Sequence, residues 1–92
     1  MIVSFRCAET QALYETGKSR RFSSIAVVAT RKLQTLASAV TLEFLRSPPG
    51  HRLEALKGER KGQHSIRVNN QWRICFVWTG ADAAEVEIVD YH

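Results

Sequence analysis

The chain has 92 residues, 45% of them hydrophobic and 24% charged, with a formal net charge of +4. That composition excludes a disordered chain, and the length suits a single domain over residues 1–92 with one modest core. The longest wholly apolar run, Ile25 to Ala29, is far too short to cross a bilayer, and the N-terminus lacks the apolar core of a secretory signal, so no membrane partner is expected. Cys7 and Cys75 lie far apart with no CxxC spacing and read as free thiols of a cytoplasmic protein, not as a disulfide or metal site.

Charge is unevenly spread. Residues 1–73 hold all 13 Lys and Arg against five acids, a net +8, whereas residues 74–92 hold four acids and no base, a net −4. A basic body suits a polyanionic partner, because neutralised phosphates release counterions; it equally suits solvated lysines and arginines.

Met1 to Arg6 is a short β-like run. Ala8 to Thr16 has the propensity of a helix stopped by Gly17. The basic loop Lys18-Ser19-Arg20-Arg21 follows, and Ser23 or Ser24 is placed to cap a longer helix. In that helix Ile25, Val28, Ala29, Leu33, Leu36 and Val40 recur at three- and four-residue steps, the spacing of a core stripe. Leu42 to Leu45 reads as a short helical piece, ended by Pro48-Pro49-Gly50.

The stretch Leu56 to Phe76 opens as a basic loop punctuated by Gly58 and Gly62. Period-two alternation from Ser65 to Val68 and from Trp72 to Trp78, broken at Asn69-Asn70, predicts a β-hairpin. A turn centred on Asn69–Gln71 sets Arg67 opposite Arg73 and Ile66 opposite Ile74. A second turn near Asp82 folds Glu85 to Asp90 back as a third strand and sets Tyr91 opposite Arg73. Side chains then divide between two faces. Ile66, Val68, Ile74, Phe76, Trp78, Val86 and Ile88 form a core face. Ser65, Arg67, Arg73, Cys75, Val77, Glu87, Val89 and Tyr91 form the other. The order predicts an α+β fold: two N-terminal helices on one face of a small antiparallel sheet, with an open basic face on the other side.

Bland readings stand beside each candidate. Arg67 and Arg73 can be solvated cross-strand neighbours balanced by Glu87, and Lys57, Arg60 and Lys61 an exposed charged loop. Gly58 and Gly62 shape a turn, since no GxxxxGK[ST] sequence is present. His51 and His64 have no second ligand at metal spacing and read as surface or strand residues, while Trp72 and Trp78 read as packing residues.

The segment RLEALKGERKGQHSIRVNNQWRICF, followed by the terminal EIVDYH, resembles the HigB-type toxins of the RelE/ParE superfamily, especially their GraT-like members. The likeness extends to the chain length, the opening MIVSF and the SPPG break. It implies a RelE-like, microbial-RNase-like fold and a bacterial type II toxin: a ribosome-dependent endoribonuclease that cuts mRNA, with no cofactor. It also implies a cognate HigA-like DNA-binding antitoxin as protein partner, with operator DNA met only through that antitoxin. Carried over by position, Lys57, Arg73, Asp90, Tyr91 and His92 match positions tied to mRNA binding or cleavage. A further position, sometimes histidine in the family, is Glu54 here.

Metal-free RNA cleavage needs a base for the 2′-hydroxyl, donors for the anionic phosphorane and an acid for the departing 5′-oxygen. His92, with a reference pKa of about 6.5, suits base or acid; Asp90, at about 3.9, suits orienting it or relaying a second proton. Arg73, with Lys57 and Arg67, would stabilise phosphate charge, and Tyr91 would stack on a base or donate a proton. Arg60, Lys61, Arg20 and Arg21 are the further RNA- or ribosome-binding candidates. Two other readings stay open: a gyrase poison, as in the ParE branch, and a non-catalytic ribosome- or RNA-binding module.

Overall fold

A computed structural model describes residues 1–46 and 49–90. Three helices, α1 (Ala8–Thr16), α2 (Ala26–Ser38) and α3 (Leu42–Arg46), precede four strands, β1 (Glu54–Ala55), β2 (Gln63–Arg67), β3 (Trp72–Trp78) and β4 (Ala83–Asp90). The strands form one antiparallel sheet in the order β1-β2-β3-β4. The expected α+β architecture is therefore observed. Strand β1 is an addition, because two residues are too few to show an alternation.

The N-terminal run does not form a full strand. Ile2 and Phe5 make isolated parallel bridges to Ala83 and Val86 along the free edge of β4. Farther along that edge Thr10, from α1, accepts the Ile88 amide at 3.1 Å through its hydroxyl. The edge is thus covered by backbone and side chain, which blocks pairing with another chain.

The core face is as the alternation predicts. Ile66, Val68, Ile74, Phe76, Val86 and Ile88 are buried and join Leu13, Phe22, Ile25, Ala29, Leu33, Leu36 and Leu45 from the helix layer. Each large side chain so buried contributes about 1.5–3 kcal/mol. Trp72 and Trp78 pack against this cluster, Trp72 meeting Phe22 edge-on at 5.5 Å between ring centres.

The α2 stripe needs two corrections. Val28 is 44% exposed and Val40 70% exposed. The helix ends at Ser38 and Ala39 turns extended (ψ 132), so Val40 leaves the stripe and Ala39 is buried instead. Nor does a serine cap α2: Ser23–Ile25 forms a 3-10 turn, Ile25 holds the cap position, and no side chain bonds there. Ser19 instead accepts the Phe22 amide. Of the Pro48-Pro49-Gly50 break, Pro48 lies outside the described residues, and a 3-10 turn runs over Pro49–His51.

The first hairpin has the expected register, with Ile66 opposite Ile74 and Arg67 opposite Arg73. Its turn is tied by the Asn69 side chain, whose Oδ1 accepts the amides of Gln71 and Trp72, each at 2.8 Å. The second hairpin differs: Arg73 faces Val89, not Tyr91. Its loop is shorter than predicted, Trp78 pairing with Ala83, and a bulge adds one residue near Glu85, which takes the left-handed φ of 53. The combined slip is two residues, which keeps each described side chain of that set on its predicted face.

His51 departs from its surface or strand reading. It is buried, and its Nδ1–H donates to the Leu45 carbonyl at 3.1 Å, tying the 3-10 turn to α3. Burial, then the nearby Lys32 charge, holds its imidazole below the ordinary 6.5, against the raising effect of the Leu45 bond. The unfolded chain therefore binds the proton more readily, so stability is full above pH 6.5 and falls as pH drops below it. The melting temperature should decline below about pH 6.5, and His51→Asn should remove that part of the decline. Identical pH slopes for the two proteins would contradict the assignment.

Candidate RNA-binding face

The face of the sheet opposite the core is not bare. Glu54, Ser65, Cys75 and Glu87 stand in one row across β1, β2, β3 and β4, with Arg67, Arg73 and Val89 in the next. Residues 52–62 contain edge strand β1 and its connection to β2, and from them the Arg52 carbonyl and the Arg60 side chain reach onto this face. Gly58 and Gly62 take positive φ values of 66 and 95, conformations open to glycine and strained for other residues. Lys57, Gly58, Arg60 and Lys61 occupy this segment.

Arg73 is the centre of the face and is only 7% exposed. Its Nε–H donates to Ser65 Oγ at 2.7 Å, and its Nη2 donates to the Arg52 carbonyl at 2.7 Å. Arg52 adopts φ 45, a left-handed conformation for a non-glycine residue, where its carbonyl meets the guanidinium. Glu54 Oε1 stands 3.7 Å from the same Nη2. Arg73 is thus a desolvated, oriented cation and not a solvated strand neighbour.

Glu87 does not balance Arg67 or Arg73 by direct bonding. It accepts from Arg60 Nη1 at 2.7 Å, a bond that reaches from the β1–β2 connection across β3 to β4. Arg60 Nη1 also donates to Gln63 Oε1 at 3.2 Å. The Glu87 bond pushes the Arg60 guanidinium further above its ordinary range. Beneath this bridge Cys75 is fully buried, and burial raises its thiol pKa against the opposing pull of Arg60.

Other candidates are placed as follows. Lys57 and Arg60 line a pocket of about 320 Å³ with Glu54, Ala55 and Leu56. Lys61 is exposed beside it. Arg67 donates to Asn70 Oδ1 in the hairpin turn. Asp90 closes β4 opposite Trp72, and Gln71 Nε2 donates to its Oδ2 at 3.2 Å. Arg20 and Arg21 lie in the α1–α2 connection, where Phe22 packs into the core from the helix side. Arg21 there pairs with Glu9 at 3.8 Å and lies 5.3 Å from the Phe22 ring centre. Tyr91 and His92 lie outside the described residues.

Three participants were not legible in the sequence. Ser65 and the Arg52 carbonyl hold Arg73, and neither has a distinctive motif. Lys32, on α2, comes near enough to Arg67 for that charge to add to burial in lowering its pKa. Among the described residues no group of three or more His, Cys, Asp or Glu side chains could hold a metal ion. Lysine cannot reproduce the Arg73 fork, since one ammonium cannot serve Ser65 and Arg52 from two separate nitrogens. Arg73→Lys should lower stability by about 1–3 kcal/mol in urea unfolding; an unchanged midpoint would show that the fork contributes nothing.

The family description "RelE-like toxin of type II toxin-antitoxin system HigB" matches residues 3–92. The protein named Toxin HigB-1 of Vibrio cholerae serotype O1 is 42% identical over 80 residues, covering 85% of this chain and 84% of that protein. Endoribonuclease HigB of Proteus vulgaris is 32% identical over 93 residues, covering all of both. With a family match over almost its whole length and a relative aligned from end to end, the chain belongs to the RelE-like toxins of HigB type II toxin–antitoxin systems, a family that implies a protein antitoxin as partner.

Proposed function

We propose that this toxin is a cytoplasmic, single-domain endoribonuclease that cuts mRNA on the ribosome by metal-free acid–base chemistry. The observation that carries the reading is the oriented, desolvated Arg73 on a face whose neighbouring segment, residues 52–62, supplies Lys57, Arg60 and Lys61. The name of the Proteus vulgaris relative supports the same activity.

A guanidinium already stripped of water and held by Ser65 and the Arg52 carbonyl needs little reorganisation when a phosphorane develops charge, which is where such donors act most strongly. In this reading Arg73 and Lys57 stabilise that charge, while Arg67, Arg60 and Lys61 hold the RNA backbone. Arg20 and Arg21, on the helix side, meet ribosomal RNA. The 2′-oxygen attacks phosphorus as His92 or Asp90 takes its proton. The P–O5′ bond then breaks and the departing oxygen receives a proton from the other or from Tyr91. Glu54 occupies the family position that is sometimes histidine, and its closeness to Arg73 suits a positioning task better than proton transfer. A HigA-like antitoxin silences the toxin, and operator DNA is reached through it.

Mapping 5′ ends of a defined mRNA on programmed ribosomes tests the proposal. Discrete new ends inside codons are expected with the wild-type protein and not with His92→Gln. Intact mRNA accompanied by DNA breaks would favour a gyrase poison, and retention of RNA without new ends would favour a binding module.

A further inference from the structure

Arg60 reaches across β3 to a carboxylate 27 residues away, instead of extending into water from the β1–β2 connection. Both of its side-chain bonds, to Gln63 and Glu87, use Nη1. Nε and Nη2 therefore have no protein partner among the described residues. The side chain remains 36% exposed and Glu87 only 17%. One edge of the guanidinium is clamped and the other remains available. The clamped residue lines the pocket that also contains Lys57.

Two effects of Glu87 oppose each other. Its charge offsets that of Arg60, which should weaken attraction for an anion. Its hydrogen bond also fixes the donor plane and ties down the segment carrying Lys57 and Lys61, which should strengthen it. A planar fork is effective on phosphate only when its orientation is set. The bond is short, charge-assisted and part-buried, which favours the orienting effect.

We infer that Glu87 is a positioning residue for RNA: through Arg60 it presents a phosphate-binding edge at the Lys57 pocket, a subsite for a backbone phosphate of the bound strand. This rests on the endoribonuclease reading. The unusual consequence is that removing a negative charge from an RNA-binding face weakens RNA binding.

The test is single-turnover cleavage of a defined mRNA on programmed ribosomes, across toxin concentrations and several salt concentrations, with thermal melting of each protein. Glu87→Met matches the side chain in size, raises net charge by one and cannot accept the Arg60 bond. It should raise the half-saturating concentration about three- to tenfold, part of one charge-assisted contact, and leave the maximal rate within about twofold. Its salt slope should fall by about 0.7–1, as should that of Arg60→Ala. Glu87→Gln, which can still accept from Arg60, should stay close to wild type. The Arg60→Ala/Glu87→Met double variant should be no weaker than Arg60→Ala.

Equal or tighter half-saturation in Glu87→Met overturns the inference, as does a lowered melting temperature with unchanged half-saturation. Tighter binding by both Glu87 variants would assign Glu87 to charge offset alone. If the wild-type protein cuts nothing, the underlying reading fails and this inference with it. Cleavage by wild type with an unweakened Glu87→Met sinks this inference alone.

Discussion

A buried guanidinium in the middle of the sheet constrains everything on its outer face. Taking Arg73 out of water is expensive unless its donors are met, and the structure meets them with a hydroxyl on β2 and a carbonyl from the segment that contains β1. Those partners lie 8 and 21 residues away, so the interaction depends on the hairpin register and on the path of residues 52–62. The left-handed conformation of Arg52 is explained by the same demand. Should the register slip by one residue, Arg73 would enter the apolar core and Ile74 would face out.

Around that centre, carboxylates and guanidiniums alternate. Glu54 stands near Arg73, and Glu87 clamps Arg60. For a protein that binds a polyanion this looks counterproductive, since each carboxylate subtracts from the attraction. The opposition resolves once orientation is weighed against net charge. Flexible surface cations contribute mainly long-range attraction, which salt screens over about 10 Å at 0.1 M. Cations fixed at a partly buried face act at contact distance, where the donor geometry decides the strength. The exposed Lys57 and Lys61 suit the first task, and the held Arg60 and Arg73 suit the second.

Much of the fold was legible in the sequence because period-two and period-3.6 patterns are local. The hairpin at Asn69 and the division of β3 and β4 into two faces follow from alternation, and the first helix from propensity and its Gly17 stop. The second register was misplaced by two residues because a short loop and a bulge leave no mark on alternation. Val40 joins the predicted stripe because the pattern extrapolates past the point where the helix ends, whereas Val28, within the helix, lies off the buried line of Ala29, Leu33 and Leu36. The Arg60–Glu87 bond could not be read at all: it depends on how a glycine-bearing segment connects β1 to β2. Arg73 stands out in the sequence, but as an open-face cation, since period alone does not reveal what covers a face. Tyr91 and His92, on which the acid–base part of the reading rests, lie outside the described residues.

The most direct test of the central claim is the side-chain Nε–Hε signal of Arg73 in a nitrogen-15 NMR spectrum of the free toxin at neutral pH. A guanidinium bonded to Ser65 and Arg52 predicts one dispersed signal, slow to exchange with water and collapsed toward the exposed arginines by Ser65→Ala. An Arg73 signal that overlaps that of the exposed Arg20, and exchanges as fast, would contradict it.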